Sequence, residues 1–255
     1  RGHGVLEPAI LAEELGPFDA TFHIPAFLEG GRTTENGIHY LNGIPVHETD
    51  FGRDNIFGFS TSHLSKWIEE KSCGKIQANN ILHVEIKQLE MAFNNEDGLK
   101  SLVSFLSRLE NNISVVVDAK LPRHLEILAS AIKIVSKEKR FLFRTAASFI
   151  NSLSGLPPNP QSTADLVSLK SGSNKFKYKS GLIIVGSHVT LASNQLKVLL
   201  KDNSCEGLEI PVSKLADIFV LENCQKAILE IENDLLSKIN EIVSIKKVPV
   251  LYTSR

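Results

Sequence analysis

Short apolar runs alternate with amphipathic segments along most of this chain, and that alternation limits what it can fold into. Residues 20–24, 81–86, 113–117 and 141–143 read as strands, each a brief hydrophobic run bounded by polar or turn-forming residues. Between them lie helical patterns. Val5, Leu6, Ile10, Leu11 and Leu15 recur at helical spacing over residues 4–15 and stop at Gly16-Pro17. Leu64, Trp67 and Ile68 mark a helix that Ser60 or Thr61 can cap and that ends near Gly74. Leu99, Leu102, Val103, Leu106 and Leu109 form one apolar face, and Leu125, Leu128, Ala129 and Ile132 form another behind a first-turn Pro122. A small-residue helix follows at 146–153. Strands and helices at this spacing predict an α/β fold with largely parallel sheets flanked by helices.

The pattern breaks once. Residues 155–180 turn rich in Pro, Ser, Lys and Gly, as a linker does. Alternation then resumes, with strands at 182–185, 208–212 and 248–252 and helices at 192–200 and 224–242. The reading is two domains, 1–152 and 181–255, joined by a linker over 153–180, the second domain only begun.

Composition narrows the function classes. With 28 basic and 29 acidic residues among 255, the chain has no basic excess for nucleic acid. No apolar run reaches the roughly 18 residues of a membrane helix. Three scattered cysteines lack metal spacing and fit a reducing, cytoplasmic setting. Arg1 opens the chain in place of Met, and Met91 is its single methionine, so it reads as a piece of a longer protein.

The densest polar chemistry lies at 22–50. An apolar run enters Gly30-Gly31, then Arg32, Thr33 and Thr34, at what reads as the C-terminal end of a strand, where α/β proteins commonly bind ligands. Residues 38–41, Asn42-Gly43 and 44–46 read as a hairpin with a type I′ turn. Residues 51–59 read as a loop packed back on the body. Arg32 offers a two-pronged clamp for a carboxylate or phosphate, or is a surface arginine in a turn. Asp118 and Arg144-Thr145 follow strands and either point into the crevice or, for Asp118, cap the next helix. Gly186-Ser187 follows the apolar run Leu182–Val185 just before a helix, as a phosphate-binding turn or a plain one. His39, His47, Glu48 and Asp50 offer a metal or acid/base reading, without any recognised zinc spacing.

Taken together, Arg1-Gly2, PAFLEGGRT at 25–33, GIHYLNGIPVHET at 37–49, VVVDA at 115–119 and IIVGSHV at 183–189 resemble the four-carbon acid sugar kinase family. The resemblance runs over most of the chain. It implies an N-terminal acid-sugar-binding domain followed by a C-terminal nucleotide-binding domain, with ATP and Mg2+ used to phosphorylate acids such as threonate, erythronate or 3-oxo-tetronate. Carried over residue by residue, Arg1, Gly2, Pro25, Ala26, Phe27, Gly31 and Arg32 match the sugar-acid segments, with Asp118 beside them. Gly186, Ser187 and Gln195 match the nucleotide motif. Val189 and Ala192 stand where that motif has serine and threonine, with Thr190 and Ser193 as neighbours that can substitute. The family's paired aspartates precede the position matched by Arg1, and its Gly-rich phosphate loops follow that of Arg255, so no catalytic residue is assigned here. The expectation is a kinase of small sugar acids in the full-length protein, inactive as this piece, with homo-oligomer formation open. The alternatives are a non-catalytic small-acid-binding or regulatory module, or a metal-dependent hydrolase built on His39 and His47.

Overall fold

A computed structural model describes residues 3–54, 57–156, 162, 164–165, 181–220 and 224–254. The chain divides into two compact units, residues 1–159 and 160–255, each an α/β assembly with parallel strands. Of the expected linker, residues 157–161, 163 and 166–180 lie outside the described residues.

Unit 1 is built on a four-stranded sheet of β1 (Ala20–Ile24), β5 (Leu82–Val84), β6 (Ile113–Val117) and β7 (Phe141–Thr145). The strand order is β5-β6-β1-β7, and every pairing is parallel. Both faces are covered, so β1 is buried along its whole length. One face carries Phe22, Ile24, Val115 and Val117 against α3 (Ile86–Asn94), α4 (Glu96–Ser107), α5 (Pro122–Val135) and α6 (Ala147–Ser154). The opposite face carries Val116 against Leu64 and Ile68 of α2 (Leu64–Lys71), joined by Val5 and Ile81. Because side chains alternate along a strand, His23 falls on this second face, between Val116 and Arg144 in register. A separate antiparallel sheet holds β2 (Arg32–Glu35), β3 (Ile38–Leu41) and β4 (Ile44–Pro45). Asn42 and Gly43 both have positive φ, as a type I′ turn requires. Asn36-Gly37 makes a second such turn, between β2 and β3, which the sequence reading passed over.

Several local expectations change. In α1 (Leu6–Leu15) only Pro8 is buried, while Leu6, Ile10, Leu11 and Leu15 face solvent. Its apolar residues are spread around the helix rather than stacked in one stripe. Neither Ser60 nor Thr61 caps α2. His63 is its N-cap without a side-chain bond, Ser60 bonds to Glu70, and the Thr61 hydroxyl accepts from the His63 N–H. The strand expected to reach residue 86 stops at Val84, since Glu85 caps α3, its own N–H donating to Gln88 Oε1 at 2.9 Å. That nine-residue helix was masked by the neighbouring apolar run.

Unit 2 has a three-stranded parallel sheet, ordered β8 (Ile183–Val185), β10 (Val248–Thr253), β9 (Cys205–Ile210). Its described helices are α7 (Thr190–Leu199), α8 (Val212–Phe219) and α9 (Cys224–Ser244). The strand expected at 208–212 begins earlier and ends at Ile210, because Pro211 ends it and serves as the N-cap of α8. No described helix is long and apolar enough to cross a membrane.

Candidate functional site

A cavity of about 380 Å³ opens in unit 1 at the C-terminal ends of β1 and β7. His23 and Pro25 line it from β1 and its exit, and Arg144, Thr145 and Ala146 from β7 and its exit. Arg32 and His39 enter from the antiparallel sheet, while Phe59, Leu64, Trp67 and Ile68 supply an apolar wall. This crevice beyond the carboxyl ends of parallel strands is where the fold type leaves room for a ligand.

Local backbone geometry explains how Arg32 gets there. Phe27 and Arg32 exchange both backbone hydrogen bonds at 2.9 Å, closing a short loop around Leu28–Gly30. Gly31 ends that loop at φ +67°, and a Cβ there would lie 1.9 Å from Asn42 Oδ1. Glycine adopts that φ without strain, and any side chain there would have to displace the Asn42 amide. The guanidinium of Arg32 then rests 5.1 Å above the Phe27 ring, a cation–π contact, and pairs with no carboxylate among the described residues. Burial pushes its pKa down from the usual arginine value.

Arg144 is half-exposed, with its guanidinium 3.0 Å from the Glu7 carboxylate on α1. The cavity is therefore lined by two guanidinium groups, one of them already presented to a carboxylate. Beside them the histidines are neutral at physiological pH. His23 is pushed down to about 4, by burial first and by the Arg144 charge second. His39 is pushed down to about 4 by burial and then by Arg32, with its Nδ1 3.1 Å from the Thr34 hydroxyl. No hydrogen bond joins either ring nitrogen of His23 to a described residue, and its Nε2 is fully buried.

Not every residue singled out from sequence reaches the cavity. Pro25 and Arg32 line it, whereas Ala26 sits in the core behind it and Phe27 supports Arg32 from below. Asp118 is 1% exposed and absent from the lining. It does not cap the next helix either, whose N-cap is Leu121. Its carboxylate accepts the backbone N–H groups of Asn36 at 2.9 Å and Gly37 at 3.0 Å, and lies 3.0 Å from His83 Nε2. That last contact is an ion pair bent away from hydrogen-bond linearity, since His83 Nε2 has no in-line partner. Asp118 thus pins the β2–β3 turn to the end of β6. Thr34 reinforces the junction by exchanging both backbone bonds with Ala119 at 2.9 Å. Arg1 and Gly2 lie outside the described residues.

His47 turns aside: its ring Nδ1 meets the Ser62 hydroxyl at 2.7 Å. Among the described residues, no group of three or more His, Cys, Asp or Glu side chains is placed to hold a metal ion. The residues that sequence reasoning passed over are His23 and the wall of Phe59 and Trp67. The signal for His23 was present, a polar residue in the middle of the apolar run Phe22-His23-Ile24.

In unit 2, Gly186 and Ser187 are exposed at the C-terminal end of β8, ahead of α7. The next residue, His188, reaches the end of β10, its Nε2 2.9 Å from the Thr253 hydroxyl. A Cβ on Gly186 would meet nothing within 4 Å, so the backbone there is open to a ligand. Gln195 is exposed on α7 beside the buried Leu196.

Comparison with known proteins is consistent with this architecture. No curated protein sequence matches the chain. Among solved structures, a candidate tRNA synthase from Salmonella typhimurium LT2 is 15% identical, with a TM-score of 0.51 over 97% of this chain and 51% of that one. That is a likeness of fold alone. A Haemophilus influenzae protein of the DUF1537 family is 17% identical, with a TM-score of 0.47 over 97% of this chain and 52% of its own. A Bordetella bronchiseptica DUF1537 protein, a domain-swapped dimer with bound citrate, is 18% identical, with a TM-score of 0.39 over 96% and 48%. The chain spans about half the length of these structures. Residues 1–153 match the family described as the sugar-binding N-terminal domain. The chain belongs to that family, the one that forms the N-terminal part of the four-carbon acid sugar kinases.

Proposed function

We propose that the unit 1 cavity binds the carboxylate of a small, four-carbon sugar acid, as part of an ATP-dependent kinase that phosphorylates it. The observation that carries this reading is the pair of guanidinium groups, Arg32 and Arg144, lining one cavity of about 380 Å³ in a sugar-binding domain. A polyhydroxylated acid has few apolar atoms, so its affinity rests on charge-assisted hydrogen bonds, which planar guanidinium supplies in pairs. The Phe59 and Trp67 wall suits the C–H faces of a short carbon chain and keeps water from the charged end.

The nucleotide reading rests on unit 2. Gly186 and Ser187 offer an open turn before a ten-residue helix, and backbone N–H groups at such a place hold phosphate. ATP would bring the transferable phosphoryl group. Gly186 and Ser187 would hold its phosphates and Gln195 would lie in the second turn of that helix. With no acidic cluster among the described residues, magnesium fits this chain only as an ion carried on the phosphates, and no residue here is assigned to it.

The test is calorimetric titration of threonate, erythronate and ATP separately into the full-length protein, as wild type and as Arg32→Lys. Lysine keeps the charge but not the fork. Sugar-acid binding should weaken by about 1.5–3 kcal/mol, the value of a hydrogen bond to a charged group, with ATP binding spared. Unchanged acid affinity would return Arg32 to the status of a turn residue, and equal loss for both ligands would point to misfolding.

A further inference from the structure

Among the described residues, His23 lines the cavity with ring nitrogens that no hydrogen bond uses. The residue is 5% exposed, lines the cavity, and has no hydrogen bond from either ring nitrogen to a described residue. A buried polar group without a partner is costly, and native proteins rarely keep one unless something else completes it. A metal ion is a poor candidate, because among the described residues no group of three or more His, Cys, Asp or Glu side chains is gathered around the ring.

Position narrows the partner. His23 and Arg144 are register partners on adjacent parallel strands and project from the same face of the sheet. Strand spacing of about 4.8 Å separates their backbones. His23, Arg32 and Arg144 line the same cavity, so an acid whose carboxylate is held by the cavity's guanidinium groups can set its next carbon beside the His23 ring. A neutral imidazole carries one donor and one acceptor. A hydroxyl carries the complement of both, whereas carboxylate oxygens only accept and are already served by guanidinium donors.

We propose that His23 recognises the hydroxyl on the carbon adjacent to the carboxylate, so that the cavity selects 2-hydroxy acids over the same acids without that hydroxyl. This rests on the sugar-acid reading above and adds a residue that sets specificity within it. An analogue lacking the hydroxyl leaves the buried ring unpaired again and so loses affinity.

The experiment is calorimetric titration of threonate and of 3,4-dihydroxybutanoate into the full 255-residue chain. It is repeated with His23→Phe, which keeps an aromatic ring without hydrogen-bonding atoms, and with His23→Gln, which keeps a donor and an acceptor. The wild type should bind threonate at least about fivefold more tightly, the equivalent of one net hydrogen bond. His23→Phe should bind the two acids alike, at the wild-type affinity for 3,4-dihydroxybutanoate, and His23→Gln should restore part of the preference. Equal wild-type affinity for the two acids overturns the proposal whatever the variants do, as does a preference that survives in a folded His23→Phe. If the wild type binds neither acid, the sugar-acid reading falls and takes this one with it.

Discussion

Lowering the pH from 6.5 to 5.0 should destabilise unit 1 by about 3 kcal/mol, because two buried histidines refuse their protons while the chain is folded. His23 and His39 are both held down to about 4, against an ordinary value of 6.5. Below 6.5 the unfolded chain takes up a proton at each ring and the folded chain does not, so stability falls with pH until about 4, where the folded rings also titrate. The full slope of about 1.36 kcal/mol per unit applies only once the unfolded ring is fully protonated, and at pH 6.5 it is half so, which leaves each ring a cost of about 1.5 kcal/mol over this window. His63, pushed down by burial and then by Lys66, acts in the same direction. His83 has the opposite sign. The Asp118 carboxylate raises it, so its stabilisation is fully present below 6.5 and is lost as pH rises through its raised value, outside the window. Asp19, Glu29, Glu70 and Glu90 are held below the ordinary carboxylate range and lose their contribution only as pH falls through those lower values. The assay is urea unfolding at pH 6.5 and 5.0 followed by the fluorescence of Trp67, the sole tryptophan, which sits in the cavity wall. His23→Phe should remove about half of the drop. A wild-type change under about 1 kcal/mol would show that the rings protonate freely in the folded chain, and would refute the burial argument.

Two further substitutions test the scaffold around Arg32. Asp118→Ala strands the Asn36 and Gly37 N–H groups and leaves His83 without its carboxylate, and should cost about 3–5 kcal/mol in the same urea assay. Asp118→Asn, which retains one acceptor oxygen, should cost less, and an Asp118→Ala protein of wild-type stability would refute the role of the carboxylate as a pin. Gly31→Ala forces a side chain into the left-handed region against Asn42, and should cost about 1–3 kcal/mol and weaken sugar-acid binding together. A crystal structure of Gly31→Ala with Arg32 undisplaced and unchanged stability would argue against it.

Much of this protein was legible in one dimension, and the reasons are local. Strand β6 is a run of Ile and Val with one Ser, α5 opens on Pro122 with its apolar residues on one face, and Asn42-Gly43 demands a tight hairpin turn. Such features depend on neighbours within a few residues, so periodicity and turn chemistry expose them. Gly31-Arg32 was legible for the same reason, since a glycine that must adopt positive φ marks where the next side chain will project. Tertiary structure decided the rest, because it turns on partners far apart in the chain. Whether Asp118 would meet a ligand or a turn depended on Asn36 and Gly37, more than 80 residues away. Whether the apolar residues of α1 would be covered depended on how the helix meets the sheet, and in unit 1 they are not. His23 read as an oddity within an apolar strand until parallel pairing set it beside Arg144. Its meaning is carried by strand register, which no stretch of the chain can state alone.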